Sequence, residues 1–202
     1  MNRRSALCLM ASAGVVLAVP AWAQNVDPAA FVADFAQKGI VDILAAKVGQ
    51  AERTQRFRAM FKEYFDLPAI AKFVLGRYAR NVAPEELTKF GALFEDVVVY
   101  TWSRRFSEYN GQTLKVVSSA PDGADGSIVK STVVSNSGEN ISVDFRLRKR
   151  DAGYKGVDVI IAGVSMAITY RQEYSAVLAQ GFPVLVAQLQ KQVDDLKKQQ
   201  PA

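Results

Sequence analysis

Asp158-Val159-Ile160-Ile161-Ala162-Gly163-Val164-Ser165-Met166-Ala167-Ile168-Thr169-Tyr170-Arg171 reads first as strand and then as helix. Val157, Val159 and Ile161 alternate with Asp158 and Ile160, a period of two. Gly163 interrupts the alternation, and Ser165 is placed to cap a helix carrying Met166, Ile168 and Tyr170. The last strand of a sheet therefore feeds a closing helix around an apolar corner. Gly163-Val164-Ser165-Met166-Ala167 also has a passing likeness to the nucleophile elbow of serine hydrolases. The 202-residue chain contains no histidine, so no Ser-His-Asp relay can be assembled.

Moving back from this corner, the same period of two holds to Gly111. Strands are expected at 114–118, 128–135, 141–148 and 154–161, separated by turns such as Asp122-Gly123-Ala124-Asp125-Gly126. The third has the cleanest alternation. Ile141, Val143, Phe145 and Leu147 take one face, and Ser142, Asp144, Arg146 and Arg148 the other. Short loops between consecutive strands mean an antiparallel meander, and one charged face means that helices cover only one side.

Before the sheet the period is helical. Asp27-Pro28 and Asp66 with Pro68 are cap-then-proline starts. Phe57, Met60, Phe61, Tyr64 and Phe65 give the second helix, 52–65, an aromatic face. A short helix ends near Gly76, and a long one runs from Pro84 towards Asn110 with Leu87, Phe90, Phe94 and Val97 in one stripe. Its other sides are also apolar, as expected of a helix buried on more than one side. After the corner come a helix to Gln180, a break at Gly181-Phe182-Pro183 and a last helix through Leu185, Leu189, Val193 and Leu196. The layout is α+β: a curved four-stranded antiparallel sheet with helices on one face.

The N-terminus carries Arg3-Arg4, an apolar run from Ala6 to Val19 and the small-x-small site Ala21-Trp22-Ala23, the order of a secretory signal peptide. Cleavage after Ala23 leaves 24–202 as one domain, removes Arg3 and Arg4, and so takes the net charge from +5 to +3. It also removes Cys8, the single cysteine. A metal site built on His or Cys and a disulfide are thereby excluded, and neither nucleotide-binding glycine pattern is present. Export to the periplasm is the expected destination.

Two chemistries stay open on the residues alone. Asp158 and Tyr170 make an acid/base pair if both face an apolar cavity, where burial raises a carboxyl pKa. Otherwise they are a strand residue paired with Arg and a tyrosine anchored at a helix start. Arg146, Arg148, Lys149 and Arg150 make a basic run that suits an anionic membrane or nucleic acid, or is a solvated sheet face. Export argues against nucleic acid. The larger signal is apolar bulk: half of the chain is hydrophobic, and about six helical segments are more than a one-sided sheet needs. The excess thickens the core or walls an apolar pocket of several hundred Å3.

Three blocks carry a resemblance. They are Asp66-x-x-Ala69-Ile70-Ala71-x-x-Val74-Leu75-Gly76-Arg77-Tyr78, then Pro84-Glu85 with Phe90, then Asp158 to Arg171 with Gly163-Val164-Ser165-Met166 at its centre. In this order and spacing they resemble the MlaC family of periplasmic phospholipid-binding proteins, also called toluene-tolerance auxiliary proteins. The chain departs from the family pattern at Ala79, where an aromatic is usual, and at Thr169, where Asn is frequent. The resemblance implies an NTF2-like, MlaC-like fold with an apolar pocket between sheet and helices. It implies a monomeric, non-enzymatic carrier without cofactor, holding phospholipid as cargo. Its partners would be an outer-membrane lipoprotein complex and an inner-membrane ABC transporter with an MCE-domain subunit, whose joint work maintains outer-membrane lipid asymmetry. A sister group linked to hopanoid lipids shares much of the pattern, and a small NTF2-like enzyme using Asp158 and Tyr170 is the further alternative. The expected pocket lining is Val143, Phe145, Val157, Val159 and Ile161 from strands, with Phe73, Val74, Phe94, Val97, Tyr100 and Met166 from helices.

Overall fold

The computed structural model describes residues 27–44, 46–105, 109, 111–135 and 138–199; the expected signal peptide at 1–23 lies outside the described residues. Helix α1 (Pro28–Lys38) starts at Asp27, whose carboxylate accepts from the Ala29 and Ala30 amides. It runs into a π-helical turn, Gly39–Leu44. Helix α2 (Gln50–Tyr64) and helix α3 (Leu67–Leu75) meet at a corner capped by Asp66, which accepts from the Ala69 amide. A 3₁₀ segment, Gly76–Asn81, leads to the long helix α4 (Pro84–Arg105); of its expected extension, 106–108 and 110 lie outside the described residues.

The sheet is a meander in the order β1-β2-β3-β4-β5, every neighbour antiparallel. Its strands are β1 (Thr113–Pro121), β2 (Gly126–Val134), β3 (Asn140–Arg150), β4 (Gly153–Ile161) and β5 (Val164–Ser165). The fifth strand was not expected. Ile161 pairs with Val164 across a two-residue turn, Ala162-Gly163, with φ of 49° and 82°. Two positive φ values in succession are the mark of a type I′ hairpin. Asn-Gly is the usual signature of that turn, so Ala-Gly concealed it. Helix α5 (Met166–Leu178) follows at once with Ser165 as its cap, and helix α6 (Phe182–Lys198) closes the chain.

Two bulges bend the sheet, since an extra residue on one strand increases local twist. One leaves Val117 unopposed between Val116 and Ser118. The other leaves Val157 extra, with Gly156 opposite Leu147 and Asp158 opposite Arg146. The apolar face, with Val129, Phe145, Leu147 and Val159, packs into one cluster with aromatic residues of α2 and α4. The other face carries ion pairs.

The α2–α3 corner is seated on β4 by backbone. The Asp66 amide donates to the Gly156 carbonyl at 2.9 Å, and Phe65 bridges to the same glycine. The Phe65 ring lies over Gly156 so closely that a Cβ there would stand 2.6 Å from ring Cε1. Phe65 is 6% exposed and cannot swing away. Gly156→Ala is therefore expected to lower stability by about 2 kcal/mol, the usual scale of overpacking. That corresponds to a fall of roughly 4–8 °C in Tm for a domain of this size, read by a thermal melt followed by circular dichroism.

Candidate functional site

Between the apolar face of the sheet and the helices lies a cavity of about 280 Å3. Its floor is a row on α2 and the corner after it: Phe57, Phe61 and Phe65, each four residues from the next. That spacing stacks side chains on one helix face. The rings pack on one another, with Phe57–Phe61 centroids 5.7 Å apart and Phe61–Phe65 4.7 Å. Helix α4 supplies a second such row, Phe94, Val98 and Trp102, and α3 supplies Ile70. The sheet contributes Val143, Phe145, Val157, Val159 and Ile161, joined by Leu114 and Val133. Met166, Ala167 and Tyr170 of α5 close the wall beyond the corner.

Seven expected positions meet here: Phe94, Val143, Phe145, Val157, Val159, Ile161 and Met166 all line the cavity. Four expected positions stand away from it. Successive residues turn by about 100°, so Phe94, Val98 and Trp102 share a row while Val97 falls to its other side, fully buried in the core. Tyr100 faces further round still. Its ring lies between Arg58, with Cζ at 5.6 Å, and Lys197, with Nζ at 5.7 Å. On α3 the cavity residue is Ile70, and Val74, one turn on, is 1% exposed inside the core. Phe73 is on the outer side of α3, 42% exposed, with the Arg171 guanidinium 5.1 Å above its ring. The aromatic row of α2 was visible as a face in the sequence. Its direction towards the sheet comes from the seating of Phe65 on β4 at Gly156, which the sequence does not show.

Asp158 touches the cavity wall, yet its carboxylate is occupied. Oδ1 accepts from the Ala167 amide at 3.0 Å, and Oδ2 accepts from the Ser165 hydroxyl at 2.5 Å. Arg146 Nη1 stands 3.7 Å from Oδ2. Ser165 Oγ in turn accepts from the Ile168 amide at 3.1 Å. Aspartate and serine together satisfy two of the open N–H groups of the first turn of α5 and set negative charge at its positive end. This is the work of a cap on a buried helix start. Tyr170 lines the cavity with its ring against Phe94, centroids 5.4 Å apart. Burial pushes its phenol above the ordinary value, with the Trp102 side chain acting the other way.

The basic run on β3 is largely neutralised. Asp122 takes Arg146 Nε at 3.0 Å and Arg148 Nη1 at 2.8 Å, and Asp66 takes Arg150 Nε at 2.7 Å. Among the described residues no group of His, Cys, Asp and Glu is arranged to hold a metal ion, and no helix is long and apolar enough to cross a membrane.

Comparison with known proteins gives a consistent set of likenesses. The family model for MlaC protein matches residues 36–191. Toluene tolerance protein ttg2D of Pseudomonas putida is 23% identical over 111 residues, 54% of this chain and 52% of that protein, so the chain spans about half the length of this curated relative. Among solved structures, the phospholipid-binding protein of Ralstonia solanacearum, in complex with a phospholipid, superposes with a TM-score of 0.76. It is 21% identical and covers 85% of this chain and 99% of its own. The helices and antiparallel sheet described above are thus the fold of that protein.

Proposed function

The chain belongs to the MlaC family, and from that premise we propose that it is a periplasmic carrier that holds phospholipid acyl chains in the apolar cavity and leaves the head group in water. The observation that carries the reading is the cavity itself: about 280 Å3 walled almost wholly by apolar side chains, with Asp158 committed to helix α5. Burying an acyl chain is worth roughly 0.8 kcal/mol per methylene, so the aqueous gap between two membranes is a barrier that such a cavity removes. No proton transfer or nucleophile is required, and the protein acts without catalysis. The signal peptide at 1–23 delivers 24–202, one lipid-binding domain, to the periplasm as a monomer. There it passes lipid between an outer-membrane lipoprotein complex and an inner-membrane ABC transporter with an MCE-domain subunit, maintaining outer-membrane lipid asymmetry.

The test is native mass spectrometry of protein purified from a bacterial periplasm, with solvent extraction of what is bound. The expected result is a mass excess equal to one phospholipid. A polycyclic lipid in its place would transfer the assignment to hopanoid-linked carriers. A lipid-free mass, with no uptake from phospholipid vesicles, would overturn the carrier reading.

A further inference from the structure

A second apolar cavity, of about 200 Å3, lies beside the first. The two share three wall residues, Phe35, Leu114 and Val133. Its remaining wall comes chiefly from the end of α1 and the π-helical turn after it, with Ala36, Gly39 and Ile43 on that side and Met60 of α2 across from them. A π turn inside a helix is uncommon and recurs at functional sites. The Phe35 ring is half-buried and packs by its edge and face on Tyr64, Phe65 and Phe145, with centroids 5.3, 5.6 and 5.6 Å away. One aromatic side chain therefore stands at the boundary of two apolar spaces.

We infer that the second cavity receives the distal ends of long acyl chains from the first, and that Phe35 governs how far they reach. This rests on the carrier reading above and adds a chain-length limit to it. The first cavity alone, at about 280 Å3, falls just short of the roughly 300–1,000 Å3 usual for ligand sites. The second brings the pair inside that range. Its wall is mainly apolar, with Tyr109, Gln112 and Thr113 at one side, and Phe35, Leu114 and Val133 form the partition between the two. The occupant is the tail of the lipid already held, not a separate ligand.

The experiment offers the full-length mature protein an equimolar mixture of monounsaturated phosphatidylglycerols with C14, C16, C18 and C20 chains in vesicles. The bound species are then read by native mass spectrometry. The donor bilayer also buries every methylene, so the wild type is expected to take C14 to C18 near their mixing ratio. Ala36→Phe and Gly39→Leu fill only the second cavity. Gly39 has room, since a Cβ there meets Met60 at an ordinary 3.7 Å. Each methylene left outside disfavours a chain by roughly fourfold, the equivalent of about 0.8 kcal/mol. Both fillers are expected to lower the ratio of bound C18 to C14 at least tenfold while total loading stays. Phe35→Ala, which joins the cavities, is expected to raise the ratio of C20 to C14. The three variants act at different points, so one that fails to fold in a thermal melt leaves two readings. Loaded fillers with the wild-type ratio would overturn the inference and leave the carrier reading standing. A wild type that takes up none of the four lipids would overturn both.

Discussion

Val159→Glu is expected to leave a folded protein that retains no phospholipid. Val159 lines the first cavity and pairs directly across the sheet with Phe145, whose ring is 4% exposed beneath α1. Most of the cavity lining, including Phe35, Phe65, Phe145 and Ile161, cannot hydrogen-bond a carboxylate. An acyl chain laid against an unpaired carboxylate leaves that group without water, at a penalty of several kcal/mol. At 1.4 kcal/mol per tenfold, affinity falls by roughly a hundredfold or more. Val159 is only half-buried, so in the lipid-free protein the glutamate can draw water into the cavity and the fold survives. Phe145→Asp fails more broadly. It removes a core ring as well as wetting the cavity, and loss of a buried phenylalanine alone costs about 3–5 kcal/mol. The pair of variants separates an emptied cavity from a lost fold. Native mass spectrometry and a thermal melt read the two quantities on one preparation. Lipid still bound to Val159→Glu at the wild-type level would mean that the cavity is not where lipid sits.

The meander was legible because the third strand alternates cleanly, the others largely do, and the turns between the first four strands carry Gly, Asp or Asn. Val143, Phe145, Val157, Val159 and Ile161 followed from that parity. A period of two leaves only two faces to choose from, and the charged face names itself. Helices offer no such economy. A cavity-facing row on α4 differs from its neighbour by a fraction of a turn, and both rows are apolar. Phe94-Val98-Trp102 and Phe90-Phe94-Val97 are equally good stripes on a helix that is buried on several sides. Which row meets open space depends on where α2 and β4 place the Phe57-Phe61-Phe65 row, a tertiary fact that no local pattern holds. The hidden β5 is a different case. Its turn places Ala162 at a φ of 49°, a conformation that β-carbon sterics disfavour by about 1–2 kcal/mol, and sequence rules do not expect alanine there.

The blocks that carry the family resemblance turn out to touch. The Arg171 guanidinium lies over the Phe73 ring and comes within 3.0 Å of where a Cβ on Gly76 would stand. The late block is thus bolted to the early one through α3 and α5. Phe73, expected in the pocket as an apolar helix position, serves that junction and stands outside the cavity. The blocks share the wall with residues outside them: Ile70, Met166 and Tyr170 belong to the blocks, and Phe57, Phe61 and Val98 do not.

Asp158 allows the sharpest separation of a structural role from a catalytic one. Its carboxylate accepts from the Ala167 amide and the Ser165 hydroxyl and faces Arg146, at 6% exposure. Asp158→Ala removes these acceptors at once. Loss of a helix cap costs about 0.5–2 kcal/mol, and a buried donor left unsatisfied adds about 1–3. Arg146 keeps Asp122 at 3.0 Å, so the charge is not stranded, and a total of about 3 kcal/mol is expected. At roughly 2–4 °C per kcal/mol, Tm falls by about 6–12 °C. Asp158→Asn keeps one acceptor for the Ala167 amide, and its loss is expected to be near 1 kcal/mol. In both variants the molecules that remain folded should load lipid at the wild-type level, because neither change alters the apolar walls. An acid/base residue gives the opposite pattern: Asp158→Asn would abolish turnover of an apolar substrate with the melt unchanged. An unshifted melt for Asp158→Ala would therefore remove the cap assignment and return Asp158 and Tyr170 to consideration as a reacting pair.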